Sequence, residues 1–94
     1  MSEPLRILIL EDLPTDAELM LRELQREGIE FEARRVETEV EFRRELRELR
    51  PDLILSDYRL PTWDGLSALE IVHREHPDLP FILVSGAVGE ELAV

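Results

Sequence analysis

Glu11, Asp12 and Asp57 are carboxylates that follow short apolar runs. Leu5-Arg6-Ile7-Leu8-Ile9-Leu10 stops at Glu11-Asp12, and Leu53-Ile54-Leu55-Ser56 stops at Asp57. Ser85 follows a further run, Phe81-Ile82-Leu83-Val84. Carboxylates drawn together repel and raise one another's pKa. A hard divalent cation removes the conflict, and Mg2+ takes oxygen ligands, accepts few carboxylates and keeps several waters. Carboxylates with Mg2+ suit phosphoryl transfer, in which the metal neutralises charge on the transferring group. A carboxylate can itself be the nucleophile, giving an aspartyl phosphate. A hydroxyl such as that of Ser85 could then hydrogen-bond a phosphoryl oxygen. Each acid alone has a plainer reading, Asp12 for instance as a helix cap. Their recurrence at successive strand ends favours the chemical one.

That reading needs elements that bring the ends together. The three apolar runs are nearly continuous, as expected of strands buried on both faces of a parallel sheet. Phe31, Ala33 and Val36 sit among Glu30, Glu32, Arg34 and Arg35, a more polar strand whose charges suit a sheet edge. Between the strands lie helical patterns. Pro14, and a Thr15/Glu18 capping box, suggest two slightly different starts for a helix with Ala17, Met20, Leu21 and Leu24 on one face, ended by Gly28. Thr38 and Glu41 form a second capping box, opening a charge-rich segment in which Glu39 and Arg43 can pair one turn apart. Leu66, Leu69, Val72 and His73 predict a third helical face, stopped by Pro77. Residues 89–94 read as a loop running into a helix. The order β-α-β-α-β-α-β implies an α/β doubly wound parallel sheet, with sites beyond the carboxyl ends of the strands.

Bulk properties narrow the class. With 94 residues, 44% of them apolar, the chain is long enough for one small domain. Its 22 acidic and 11 basic side chains give a net charge of −11, which argues against direct binding to nucleic acid or to an anionic membrane. There is no cysteine, so disulfides and thiolate metal sites are excluded. No signal peptide and no membrane-length apolar run is evident, so the cytoplasm is the expected location.

Leu8-Ile9-Leu10-Glu11-Asp12, the stretch from Pro51 through Ser56-Asp57-Tyr58-Arg59-Leu60-Pro61-Thr62-Trp63-Asp64-Gly65, and Phe81-Ile82-Leu83-Val84-Ser85-Gly86 resemble three diagnostic motifs of response regulator receiver domains. The resemblance runs from about Leu5 to Val94 and implies a flavodoxin-like fold of strand order 2-1-3-4-5. It implies Asp57 as phosphoacceptor, Mg2+ held by Glu11, Asp12, Asp57 and the backbone carbonyl of Arg59, and Ser85 as a switch hydroxyl on the phosphoryl group. Pro61 and Gly65 would shape the loop after Asp57. The donor would be a phosphohistidine on a sensor histidine kinase or phosphotransfer protein. The product would alter binding to an output domain or protein, so the chain would be a signalling switch and not a turnover enzyme. The family's fifth strand, fifth helix and following lysine are absent, and no lysine occurs anywhere in the sequence. Residues 1–94 are thus expected to form one receiver domain, incomplete at its C-terminus. An uncovered Phe81–Val84 edge predicts a dimer by edge pairing or element exchange, or else a poorly stable monomer.

Two other readings compete. Haloacid-dehalogenase-like phosphatases also use an aspartate nucleophile but need a second aspartate two residues later, where Arg59 stands. A pseudo-receiver that only binds partners would fit the missing lysine, but not the complete acidic set with Ser85. Trp63 reads as a loop residue covering the acidic site. His73 and His76 lack a third ligand for a metal, and the Glu37–Arg50 run reads as a solvated helix face.

Overall fold

The computed structural model describes residues 3–57, 63 and 65–84, together with the backbone of 92–93. Strand β1 (Leu5–Leu10) leads to helix α1 (Pro14–Arg26), β2 (Phe31–Val36), α2 (Glu39–Glu48), β3 (Leu53–Asp57), α3 (Gly65–Glu75), β4 (Phe81–Val84) and a two-residue β5 (Leu92–Ala93). The sheet order is β2-β1-β3-β4-β5. The first four strands are parallel, as the alternation of strands and helices predicts.

Alternation along β1 explains its unbroken apolar run. Leu8 and Leu10 join Phe42, Leu46, Ile54, Ala68, Ile71 and Val72 in a core beneath α2 and α3. Ile7 and Ile9 point the other way and pack with Ala17 and Met20 of α1, and with Leu55 and Val84. Both faces of β1 are covered, so neither can be polar.

Helix boundaries follow local chemistry. Pro14 sits in the first turn of α1, and the amides of Asp16 and Ala17 both donate to the Leu13 carbonyl, at 3.1 Å each. The Thr15/Glu18 box does not form: Thr15 already lies inside the first turn, and the N-cap position falls to Leu13 without a side-chain cap. At the other end Gly28, with φ of 78°, supplies the left-handed residue of a Schellman motif. Its amide donates to the Gln25 carbonyl at 3.0 Å, and that of Ile29 to Leu24 at 3.3 Å. The Thr38/Glu41 capping box is present on α2, as is the Arg43–Glu39 pair at 2.9 Å.

Two expectations are corrected. The buried face of α3 is Gly65, Ala68, Ile71 and Val72, whereas Leu66 and His73 are exposed. Close packing of Gly65 on β3 fixes the helix rotation, so volume and not hydrophobicity selects the inner face. At the end of the chain, Leu92 and Ala93 run antiparallel beside Val84 and Leu83 and are not helical. So short an apolar stretch cannot offset helix nucleation, while the β4 edge offers unpaired peptide groups. Among the described residues, that pairing covers Leu83 and Val84 of the edge.

Candidate functional site

The register of the sheet builds the site. Ile9 lies beside Leu55, and Leu10 beside Ser56. One step further along both strands, Glu11 falls beside Asp57. By alternation both side chains share the face of Ile7, Ile9 and Leu55. Asp12 begins the turn into α1. Carboxylate oxygens of Glu11, Asp12 and Asp57 lie within 4.8 Å of one another, the sole acidic or histidine cluster of this kind among the described residues.

Burial makes this grouping costly. Glu11 is only 1% exposed, and its Oε2 has no hydrogen-bond partner. Burial pushes its carboxyl up to about 8; a side-chain hydrogen bond with Asp57 and the charges of Asp57, Asp12 and Asp16 add to the effect. A hydrogen bond between two carboxylates needs a proton on one of them. A cation here would relieve the repulsion and give the buried Glu11 oxygen a partner.

The scaffold around the three acids is tight. The Ser56 hydroxyl is fully buried and donates to the Asp57 carbonyl at 3.0 Å. A Cβ at Gly65 would stand 2.7 Å from that same carbonyl oxygen, 2.7 Å from Leu83 Cδ2 and 3.0 Å from Ser56 Oγ. Only glycine lets α3 begin this close to the end of β3. Glu11 donates its amide to the Val36 carbonyl at 3.1 Å and accepts from Arg35 Nη1 at 3.0 Å on its own carbonyl.

A family model for the response regulator receiver domain matches residues 7–94. The chain belongs to that family. Among relatives of this receiver domain, the nitrogen assimilation regulatory protein NtrX of Azorhizobium caulinodans is 37% identical over 90 residues. That match takes in 94% of this chain but only 19% of NtrX. The chain thus spans about a fifth of the length of that curated relative. Among solved structures, the MaeR response regulator bound to beryllium trifluoride superposes with a TM-score of 0.76 at 27% identity, covering 88% of this chain and 68% of MaeR. The phosphorylated cyanobacterial phytochrome response regulator RcpA superposes with a TM-score of 0.74 at 27% identity, covering 94% of this chain and 69% of RcpA. The receiver domain has the flavodoxin-like sheet that its sequence predicts, and it is a module of two-component signalling.

The fold thus brings together Glu11, Asp12 and Asp57. Arg59, Pro61 and Ser85 lie outside the described residues. Trp63 does not serve as expected: its ring packs edge-on against Phe42, centroids 5.2 Å apart, at the α2–α3 core. A groove of about 640 Å³ lies at the opposite end of the sheet around Arg6, Pro51, Asp52 and Leu79, and shares no residue with the acidic cluster. Sequence reasoning missed Asp16 and Arg35. Asp16 stands one helical turn beyond Asp12, a spacing that could have drawn attention. Arg35 bonds to a backbone carbonyl, which leaves no trace in spacing.

Proposed function

We propose that this receiver domain is a Mg2+-dependent phosphoacceptor, with Asp57 as the residue modified. The observation that carries this is the buried Glu11 oxygen without a partner, beside Asp12 and Asp57. Three carboxylates in one place, one of them pushed up to about 8, form an oxygen donor set suited to a hard cation. Glu11, Asp12 and Asp57, with the Arg59 carbonyl, would hold Mg2+. Bound there, the cation would neutralise charge on the phosphoryl group in transfer.

Asp57 ends a strand in the middle of the sheet, so its carboxylate is held rigidly for attack. Its oxygen bonds to phosphorus as the phosphorus–nitrogen bond of a phosphohistidine breaks, and the leaving imidazole nitrogen takes up a proton. Water later attacks the aspartyl phosphate, releasing phosphate and restoring the carboxylate. Ser85, following β4, is assigned the hydrogen bond to the phosphoryl group. The donor is a sensor histidine kinase or phosphotransfer protein, and the product biases binding to an output domain or protein. On this reading residues 1–94 act as one receiver unit in the cytoplasm and do not turn over an external substrate. No described helix is long and apolar enough to cross a membrane.

Fluorine NMR with beryllium fluoride tests the assignment. A protein-bound fluoride signal should appear when Mg2+ is present and vanish in Asp57→Asn. A bound signal that survives in Asp57→Asn would move the acceptor elsewhere.

A further inference from the structure

Both polar backbone groups of Glu11 are held by β2. Its amide donates to the Val36 carbonyl at 3.1 Å, and its carbonyl accepts from Arg35 Nη1 at 3.0 Å. The second contact is the more consequential, because the Glu11 carbonyl lies in one rigid plane with the Asp12 amide. Fixing that oxygen fixes the peptide between two of the three clustered acids. Arg35 is itself anchored: Nη1 also donates to Glu37 Oε1 at 2.9 Å. Arg35 lies in the cleft between β2 and α1, beside Pro14 and Glu18.

The preceding residue shows a different use of the same side chain. Arg34 faces the other side of the sheet and donates to the buried Glu45 of α2 at 2.7 Å. Arg34 thus ties strand to helix, whereas Arg35 ties strand to the acidic loop. The Arg35 side chain is 34% exposed, so its removal opens no core.

We infer that Arg35 is a positioning residue for the acidic site: by clamping the Glu11–Asp12 peptide it sets the site's affinity for a divalent cation. The inference rests on the reading that Glu11, Asp12 and Asp57 hold such a cation. Outer-shell partners that orient metal ligands change affinity on the order of tenfold or more when removed.

Isothermal titration of the full chain with Mg2+, beside melting of the metal-free protein, tests it. Arg35→Gln should weaken Mg2+ binding on the order of tenfold and leave the metal-free melting temperature close to wild type. Arg35→Lys should recover part of the affinity, and Glu37→Gln, which frees the guanidinium, should show a smaller loss. Arg34→Gln should do the reverse, lowering the melting temperature and keeping the affinity. If the wild type binds Mg2+ and Arg35→Gln binds it equally well, the inference fails alone. It also fails if Arg35→Gln loses affinity and metal-free stability together and lysine restores neither. If the wild type binds no Mg2+, the reading beneath it fails as well.

Discussion

Glu11 and Asp57 follow directly on the paired Leu10 and Ser56 of neighbouring parallel strands, and their carboxylate oxygens lie within 4.8 Å of each other. The sheet register forces the pair together, and burial raises the Glu11 carboxyl above its usual value. The cluster is therefore a destabilising feature of the metal-free fold, retained at a position that suits a cation.

Stability of the metal-free protein should fall as pH rises. The Glu11 pKa moves from 4.5 to about 8 on folding, so the native state binds more protons than the unfolded chain between those values. The stabilising proton is fully present below about pH 4.5 and lost as pH climbs through about 8. Melting temperatures in EDTA should decline across that window, and added Mg2+ should reverse the decline. A flat profile in EDTA would contradict the burial argument. Glu11→Gln should flatten it, raise metal-free stability at the upper end, and weaken Mg2+ binding.

Gly65→Ala should damage both the fold and the site. The new methyl would meet the Asp57 carbonyl oxygen at 2.7 Å, and backbone cannot swing aside as a long side chain can. A loss of about 1–3 kcal/mol is expected from overpacking. Urea denaturation measures the loss; Mg2+ titration reports the accompanying displacement of Asp57. An alanine variant as stable as wild type would show that α3 shifts freely.

Thr38→Ala should cost about 1 kcal/mol by removing a helix cap. The Thr38 hydroxyl accepts from the Glu41 amide at 3.2 Å, and the Glu41 carboxylate accepts from the amides of Glu37 and Thr38. The bond from the Glu37 amide, then those from Thr38, hold the Glu41 carboxyl below its usual value. A lowered folded pKa means that this contribution is present above the unfolded value of 4.5 and is lost as pH falls through the folded one. The difference in melting temperature between wild type and Thr38→Ala should therefore narrow in acid.

Phe42→Ala should cost about 3–5 kcal/mol, a large share of the stability of so small a domain. Phe42 is fully buried and carries the edge-on contact with Trp63. Tryptophan emission should shift toward longer wavelength as the indole loses its partner. Unchanged emission and an unchanged unfolding midpoint would contradict the packing described.

Much of this fold could be read from the chain because its strongest signals are short-range. Ile7–Leu10 had to be apolar throughout, since α1 covers one face and α2 with α3 the other. Pro14, Gly28 and Thr38 mark helix ends by chemistry that acts within a few residues. Asp57 was legible because it ends an apolar strand. What escaped depended on distant partners. Leu66 looked like a core residue but is 46% exposed, because Gly65, pressed against β3, rotates the helix. Trp63 found Phe42, a residue 21 positions away that no local pattern selects. Arg35 looked like one more charge on an edge strand, and only the fold reveals its contact with the Glu11 carbonyl. The antiparallel Leu92–Ala93 pairing likewise depends on an open strand edge, which helix propensity does not register.

Asp57 is proposed to accept a phosphoryl group with Mg2+ bound at the acidic cluster. The most direct test is intact mass spectrometry after incubation with acetyl phosphate. Wild type should gain the mass of one phosphoryl group in Mg2+, and gain nothing in EDTA or as Asp57→Asn. No gain under conditions where titration shows Mg2+ bound, or an equal gain by Asp57→Asn, would contradict the account.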